Sequence, residues 1–186
     1  MEVKNIIKKV CNLLGDSALL TAIDANTFTE EQQKEINLLT ECVNLTNANI
    51  ATNYVRLTDS KSINNYYGKV QYSAISNRAI FNIVSVKNDR NKDIDFSLNQ
   101  SGLSADKGMI KIRFTYFPDN VCYDDEISDY PTKISERDFV YGTLSEYLYA
   151  KGVFDEAQMW EERFKTEMQS KLRPQKQINM KVSRWT

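Results

Sequence analysis

The stretch from Ser135 to Leu172 constrains this chain most, because it reads as two helical periods separated by a single glycine. Ser135 stands at an N-cap position, with Asp138 three residues on to serve the free amides of a first turn. Phe139, Val140, Thr143, Leu144, Tyr147 and Leu148 recur at helical spacing, and Gly152 supplies a left-handed C-cap. A second helix is expected at once. Asp155 is its predicted N-cap, Gln158 its N3 partner, and Phe154 with Met159 a hydrophobic staple. Trp160, Phe164, Met168 and Leu172 form one apolar stripe at four-residue spacing, and Pro174 closes the helix. Glu161–Lys165 and Glu167–Lys171 are i,i+4 pairs in the favourable order, worth about 0.2–0.5 kcal/mol each.

Upstream, residues 3–14 place Val3, Ile6, Ile7, Val10, Leu13 and Leu14 on one face with lysines opposite, an amphipathic helix ending at Gly15. Asp16 to Ile23 is expected to add a further turn or two. Thr29 and Gln32 form a capping box for a longer helix running to about Asn53. Its core stripe is Ile36, Leu39, Val43 and Ile50, widened by Leu38, Cys42 and Leu45. Asn44, Thr46, Asn47 and Asn49 are poor helix formers, so packing must hold this half.

From Tyr54 the apolar period changes from about 3.6 to 2. YVRLT, KVQYSAI, AIFNIVSV, DIDFSLN and MIKIRFTYF alternate or are rich in β-branched and aromatic residues. Turn signals fall between them at Asn64-Asn65, Ser76-Asn77, Asn88-Asp89 and the loop Gly102 to Gly108. The expected fold is therefore α+β: a helical bundle, made of the N-terminal helices and the C-terminal hairpin, with an inserted antiparallel β-meander or small sandwich. One domain is expected, with N-terminal helices over 1–53 and the β insertion over 54–118. An acidic connector and the hairpin follow over 119–174, then an extended tail over 175–186.

With 41% hydrophobic residues the chain can bury a real core, and its net charge of −1 argues against nucleic-acid binding by the whole surface. There are no histidines, which removes the commonest general base and the commonest metal ligand. Cys11, Cys42 and Cys122 are isolated and odd in number. They are read as reduced, buried thiols rather than a disulfide framework or zinc site. Lys4, Lys8 and Lys9 interrupt the start of the chain, so no signal peptide is expected. No apolar run reaches the length of a membrane span. Phosphate-binding loops, dinucleotide fingerprints and nucleophile elbows are missing. Asp124-Asp125-Glu126 lacks the spacing and turn glycine of a calcium loop and reads as a solvated linker. Tyr141, Tyr147 and Tyr149 sit at helical spacing, which suits packing or an interface. No enzymatic activity, cofactor, metal or catalytic residue is expected.

Charge is uneven. Residues 119–162 carry twelve acidic and three basic side chains, whereas residues 168–186 carry five basic ones and no acid. The choice stands between head-to-tail contact with a neighbour and plain solvation. In the tail, Ile178, Met180 and Val182 alternate with polar residues, accompanied by Lys181, Arg184 and Trp185. These six are the candidate partner-binding residues, because Trp and Arg dominate binding hot spots. The rival reading folds the tail back as an edge strand of its own sheet.

The run Tyr141-Gly142, Glu146-Tyr147, Gly152, Glu156-Ala157, Trp160 and Arg163-Phe164 resembles the C-terminal hairpin of the head-to-tail adaptor (head completion) proteins of tailed bacteriophages. The likeness is greatest to those of short-tailed phages. The start IIKKVCNLL, and Cys42-Val43-Asn44 within a long helix, is similar too. The resemblance implies a virion structural protein at the neck. It implies a ring of identical copies, twelve in that family, docked beneath the portal protein and offering a platform for a tail or nozzle protein. DNA would pass through its channel without sequence-specific binding, and no catalytic residues come with the family. The alternative is a single-stranded nucleic-acid module that uses Lys111 to Phe117 as an aromatic, basic stacking platform. A hydrolase fused to a binding domain is least attractive without histidine.

Overall fold

The structure, a computed structural model, describes residues 1–130 and 134–172. Its helices are α1 (Val3–Leu14), α2 (Ser17–Ala25), α3 (Glu30–Asn49), α4 (Tyr72–Ile75), α5 (Glu136–Ala150) and α6 (Phe154–Leu172). Its strands are β1 (Leu57–Asn65), β2 (Lys69–Gln71), β3 (Ile80–Asn88), β4 (Phe96–Asn99), β5 (Gly102–Ala105) and β6 (Gly108–Tyr116). The class is α+β. Two three-stranded antiparallel sheets, ordered β1-β6-β3 and β2-β5-β4, stand between the N-terminal and C-terminal helices. No helix among the described residues is long and apolar enough to cross a membrane.

The helical half follows its local signals closely. Thr29 and Gln32 form both hydrogen bonds of a capping box, whereas at Ser135 the Asp138 carboxylate accepts the Ser135 N–H and the Asp138 N–H donates to the Ser135 carbonyl. Gly15 and Gly152 adopt positive φ, at 73° and 78°. After Gly152 the Val153 N–H donates to the Leu148 carbonyl and the Gly152 N–H to the Tyr149 carbonyl, which satisfies carbonyls the helix end would leave open. Asp16 caps α2 by accepting from the Leu19 N–H at 2.9 Å, and the helix runs only slightly beyond the turn or two expected there.

α3 gives way to a π-helical turn over Ile50–Tyr54. Among its poor helix formers Asn44 has specific work, whereas the buried Asn47 side chain finds no partner among the described residues and only its backbone carbonyl is used. The Asn44 amide donates to the Val121 carbonyl at 3.0 Å and accepts the Val121 N–H at 2.8 Å, and the Tyr130 hydroxyl donates to the Asn47 carbonyl at 3.2 Å. These bonds lash the connector to the helix. Gly142 lets α5 approach α3 and α6, since a methyl group there would overlap the Thr46 side chain and press on Phe164.

Two hydrophobic cores result. The larger joins α1, α2, α3, α5 and α6 with Ile127, Tyr130 and Ile134 of the connector. The smaller lies between the sheets, where Val70, Ile75 and Leu103 cover Ile83, Val86, Ile110, Ile112 and Phe114. Tyr116 touches both. Beside it Arg78 binds Asp119 at 2.7 Å and Asp129 at 3.1 Å, fastening the sheets to the connector.

Several expectations need correction. Asp155 is not the N-cap of α6. The Val153 carbonyl accepts the Ala157 N–H, so the helix begins at Phe154 and Asp155 lies in its first turn. Phe154 is correspondingly exposed and packs on Tyr149 rather than acting in a buried staple. Glu161–Lys165 forms as expected, at 2.5 Å, but Glu167 and Lys171 part company. Lys171 crosses to Asp138 and Glu167 to Arg137, because a fully buried carboxylate left unpaired costs more than a partly exposed one. In the β region, Tyr72–Ile75 is a helical turn, and β5 occupies the segment read as a loop. The turn at Asn64-Asn65 falls later: Asn65 ends β1, and its amide donates to the Ala105 and Asp106 carbonyls, tying the sheets together. Leu45 is exposed, as is Cys122, whereas Cys11 and Cys42 are buried. Burial pushes both buried thiols up to about 12, which leaves them inert as nucleophiles.

Candidate interaction surface on the helical hairpin

α5 and α6 pack closely along Ala157, Phe164 and Met168, and their outer rims diverge into an open groove of about 730 Å³. Arg137 and Tyr141 line it from α5, and Met159, Glu162, Arg163 and Thr166 from α6. Four side chains stack across it. The Arg137 guanidinium lies 5.1 Å from the Tyr141 ring centroid. The Tyr141 ring is 5.3 Å from that of Trp160, and the Arg163 guanidinium sits 4.5 Å above Trp160. Arg137 also donates through Nε to the Tyr141 hydroxyl at 2.9 Å and binds Glu167 at 3.0 Å, so its orientation is fixed from both helices. The ladder holds large amphipathic side chains in place before any partner arrives, which lowers the ordering cost of binding.

Helical spacing put Trp160 at the head of an apolar stripe. Phe164 and Met168 are buried as that stripe requires, whereas Trp160 and Leu172 are half-buried. Trp160 is thus the point where the hairpin core reaches the surface. Leu13, assigned to the core face of α1, is half exposed and lines a second, apolar hollow of about 390 Å³ with Val140 and Tyr141. Arg137 and Tyr141 border both depressions, so the surface continues from α6 across α5 to α1.

Two polar clusters hold the hairpin in shape. At one end the Asp138 carboxylate, fully buried, accepts from the Ser135 N–H at 2.7 Å, the Ser135 hydroxyl at 2.9 Å and the Lys171 ammonium at 2.6 Å. At the other, Glu35 of α3 accepts from the Tyr147 hydroxyl and from Lys151 at 2.8 Å. Burial pushes the Glu35 carboxyl up, and the hydrogen bonds from Lys151 and Tyr147 overcome it, so the group sits below its ordinary value. Between the clusters Glu146 is half-buried. Desolvation, with the Glu161 charge second, holds its carboxyl above the usual range.

Of the residues in the adaptor resemblance some come together and others do not, since Tyr147 turns to Glu35 of α3 and Glu156 is exposed. Tyr141, Trp160 and Arg163 form the ladder, Gly142 and Phe164 the close packing beneath it, and Gly152 the turn. Nothing in the sequence singled out Arg137; its signal was its place one turn before Tyr141. The tail residues Ile178, Met180, Lys181, Val182, Arg184 and Trp185 lie outside the described residues, as does Pro174. Of the segment offered as a stacking platform, Lys111 and Arg113 face solvent, Ile112 and Phe114 are buried between the sheets, and Phe117 packs edge-on against Phe81. At the connector, Asp125 accepts the Cys122 N–H at 2.6 Å. Among the described residues no three Cys, Asp or Glu side chains converge as a metal site. No protein-family model matches the chain, and no curated protein matches its sequence.

Proposed function

We propose that the chain is a structural subunit of a ring beneath the portal of a tailed bacteriophage, of the short-tailed type. There it extends the DNA channel and carries tail or nozzle components. The observation that supports this most is the convergence of Tyr141, Trp160 and Arg163 into one pre-ordered, partly exposed ladder over a Gly142-dependent helix contact. Aromatic and arginine side chains held rigid at a surface suit a permanent protein contact. In this reading the role is non-catalytic, the location is the neck of the virion, and DNA passes without base-specific contacts. The C-terminal residues Ile178 to Trp185 bind the portal.

The test is portal capture. The full chain is expected to co-sediment with portal rings, and a chain lacking residues 175–186 to keep its melting temperature but lose stable docking. Trp185→Ala alone should weaken docking by about 2 kcal/mol or more, as hot-spot residues do. A full chain that fails to bind portal overturns the proposal. A truncation that unfolds the subunit overturns the assignment of the tail.

A further inference from the structure

The outer face of the β1-β6-β3 sheet carries charge in an arrangement the fold itself does not explain. On β6 the side chains alternate, Ile110, Ile112 and Phe114 inward, Lys111 and Arg113 outward. Lys111 stands opposite Lys87 on one neighbouring strand and Ser62 on the other. Arg113 stands between Ser85 and Ser60. Like charges directly opposite on a sheet are destabilising. Little relieves them: Asp93 reaches Lys87 only at 4.0 Å, the Asp59 carboxylate in the same depression accepts the Ser60 N–H, and neither Lys111 nor Arg113 forms an ion pair among the described residues. Lys87, Lys111, Arg113, Ser60 and Ser85 border a depression of about 400 Å³, with Asp59 at its edge. A face with cations in register and hydroxyls beside them is built for an external anion.

The complementary charge lies on the same chain. Residues 57–116 hold nine basic and five acidic side chains, a net of +4, whereas residues 1–56 and 117–172 hold eleven basic and twenty acidic, a net of −9. Within that acidic half ten of the twenty carboxylates form ion pairs; Asp155, Glu156 and Glu162 of α6, like Glu31, Glu41 and Asp124 elsewhere, are exposed and form none among the described residues. Asp155 and Glu162 are seven residues apart and share one face, with Met159 exposed between them.

We infer that the Lys87–Lys111–Arg113 sheet face is a contact for a second copy of this chain and receives the Asp155–Glu162 face of its α6. One copy then offers cations to one neighbour and carboxylates to the other. Such a head-to-tail contact closes into a ring when its rotation allows. The inference deepens the ring reading and rests on it only for that closure.

Charge reversal in two places tests it on the full chain. Sedimentation at low ionic strength is expected to show the wild type associating with rising concentration and returning to one subunit at high salt. K111E/R113E and D155K/E162K, each folded by circular dichroism, should each weaken association about a hundredfold. Mixed together they should associate again, because the reversed sheet of one now faces the reversed helix of the other. A monomeric wild type at low salt, or a mixture that stays monomeric while its components do, overturns the inference. So does a monomeric wild type that binds a single-stranded oligonucleotide through Lys111 and Arg113, which would assign the face to phosphate. Association of the wild type without portal capture would overturn the portal reading and leave this contact standing.

Discussion

The helical body and the β module are two solutions to one problem in the same chain, and they differ in range. The helices are specified by signals a few residues long and share one broad core. The sheets have a much smaller core, and β1 meets β6 only after some forty intervening residues. Chain entropy makes such distant pairing slow and weakly encoded. The charges divide the same way, acidic in the helices and basic in the sheets. The body is therefore the frame, and the module is the part held by the smaller core.

The sharpest way to break this comparison is to excavate each core in turn. Phe139→Ala and Phe114→Ala remove rings that are 0% and 2% exposed, and each should cost about 3–5 kcal/mol. The outcomes should differ in place. Hydrogen exchange should show Phe139→Ala loosening the helices throughout, and Phe114→Ala loosening residues 57–116 while the helices stay protected. Uniform loss of protection in both variants would mean that the two cores melt as one.

Lys171→Ala should come next. It strips the buried Asp138 carboxylate of its ammonium but leaves both Ser135 donors, a loss of roughly 1–3 kcal/mol by denaturant titration. A loss below about 0.5 kcal/mol, the scale of a surface pair, would show Asp138 to be served by water.

Trp160→Ala is expected to cost about 1–2 kcal/mol, less than a fully buried ring, because the indole is half-buried in the ladder. The same variant should lose far more in portal binding than in stability. Equal losses would return Trp160 to a purely internal role.

The smallest effect belongs to Glu146. Its folded carboxyl sits above its ordinary value, so it stabilises the fold when protonated, and that stability is lost as pH rises through the folded value. Glu146→Gln should therefore raise the melting temperature slightly at pH 7 and bring no gain near pH 4. A variant less stable than wild type at pH 7 would mean that the charge has a partner.

What the sequence revealed follows the same division. The caps at Thr29–Gln32 and Ser135–Asp138, and the glycine stops at 15 and 152, were legible because each closes within about one helical turn. β5 and the turn of α4 were not, since Gly102–Ala105 becomes a strand only through β2 and β4, which flank it in space. The exchange of partners by Lys171 was equally hidden, for Asp138 lies 33 residues away. At the candidate surface, Tyr141, Trp160 and Arg163 stood out as a pattern. Their exposure did not, because helical spacing cannot tell which end of an apolar stripe runs out of core.

The Asp138–Lys171 bond also has a consequence for valency. It pins the last turn of α6 to the start of α5, so every copy presents Leu172, the origin of its C-terminal segment, at the same position. In a ring those origins recur at equal intervals around a circle. If the proposed ring forms, segments tethered this way would meet a partner of matching symmetry at high effective concentration, so that grips individually weak would combine into a hold that rarely lets go. A subunit could then release and rebind its own segment many times while the ring as a whole stays attached.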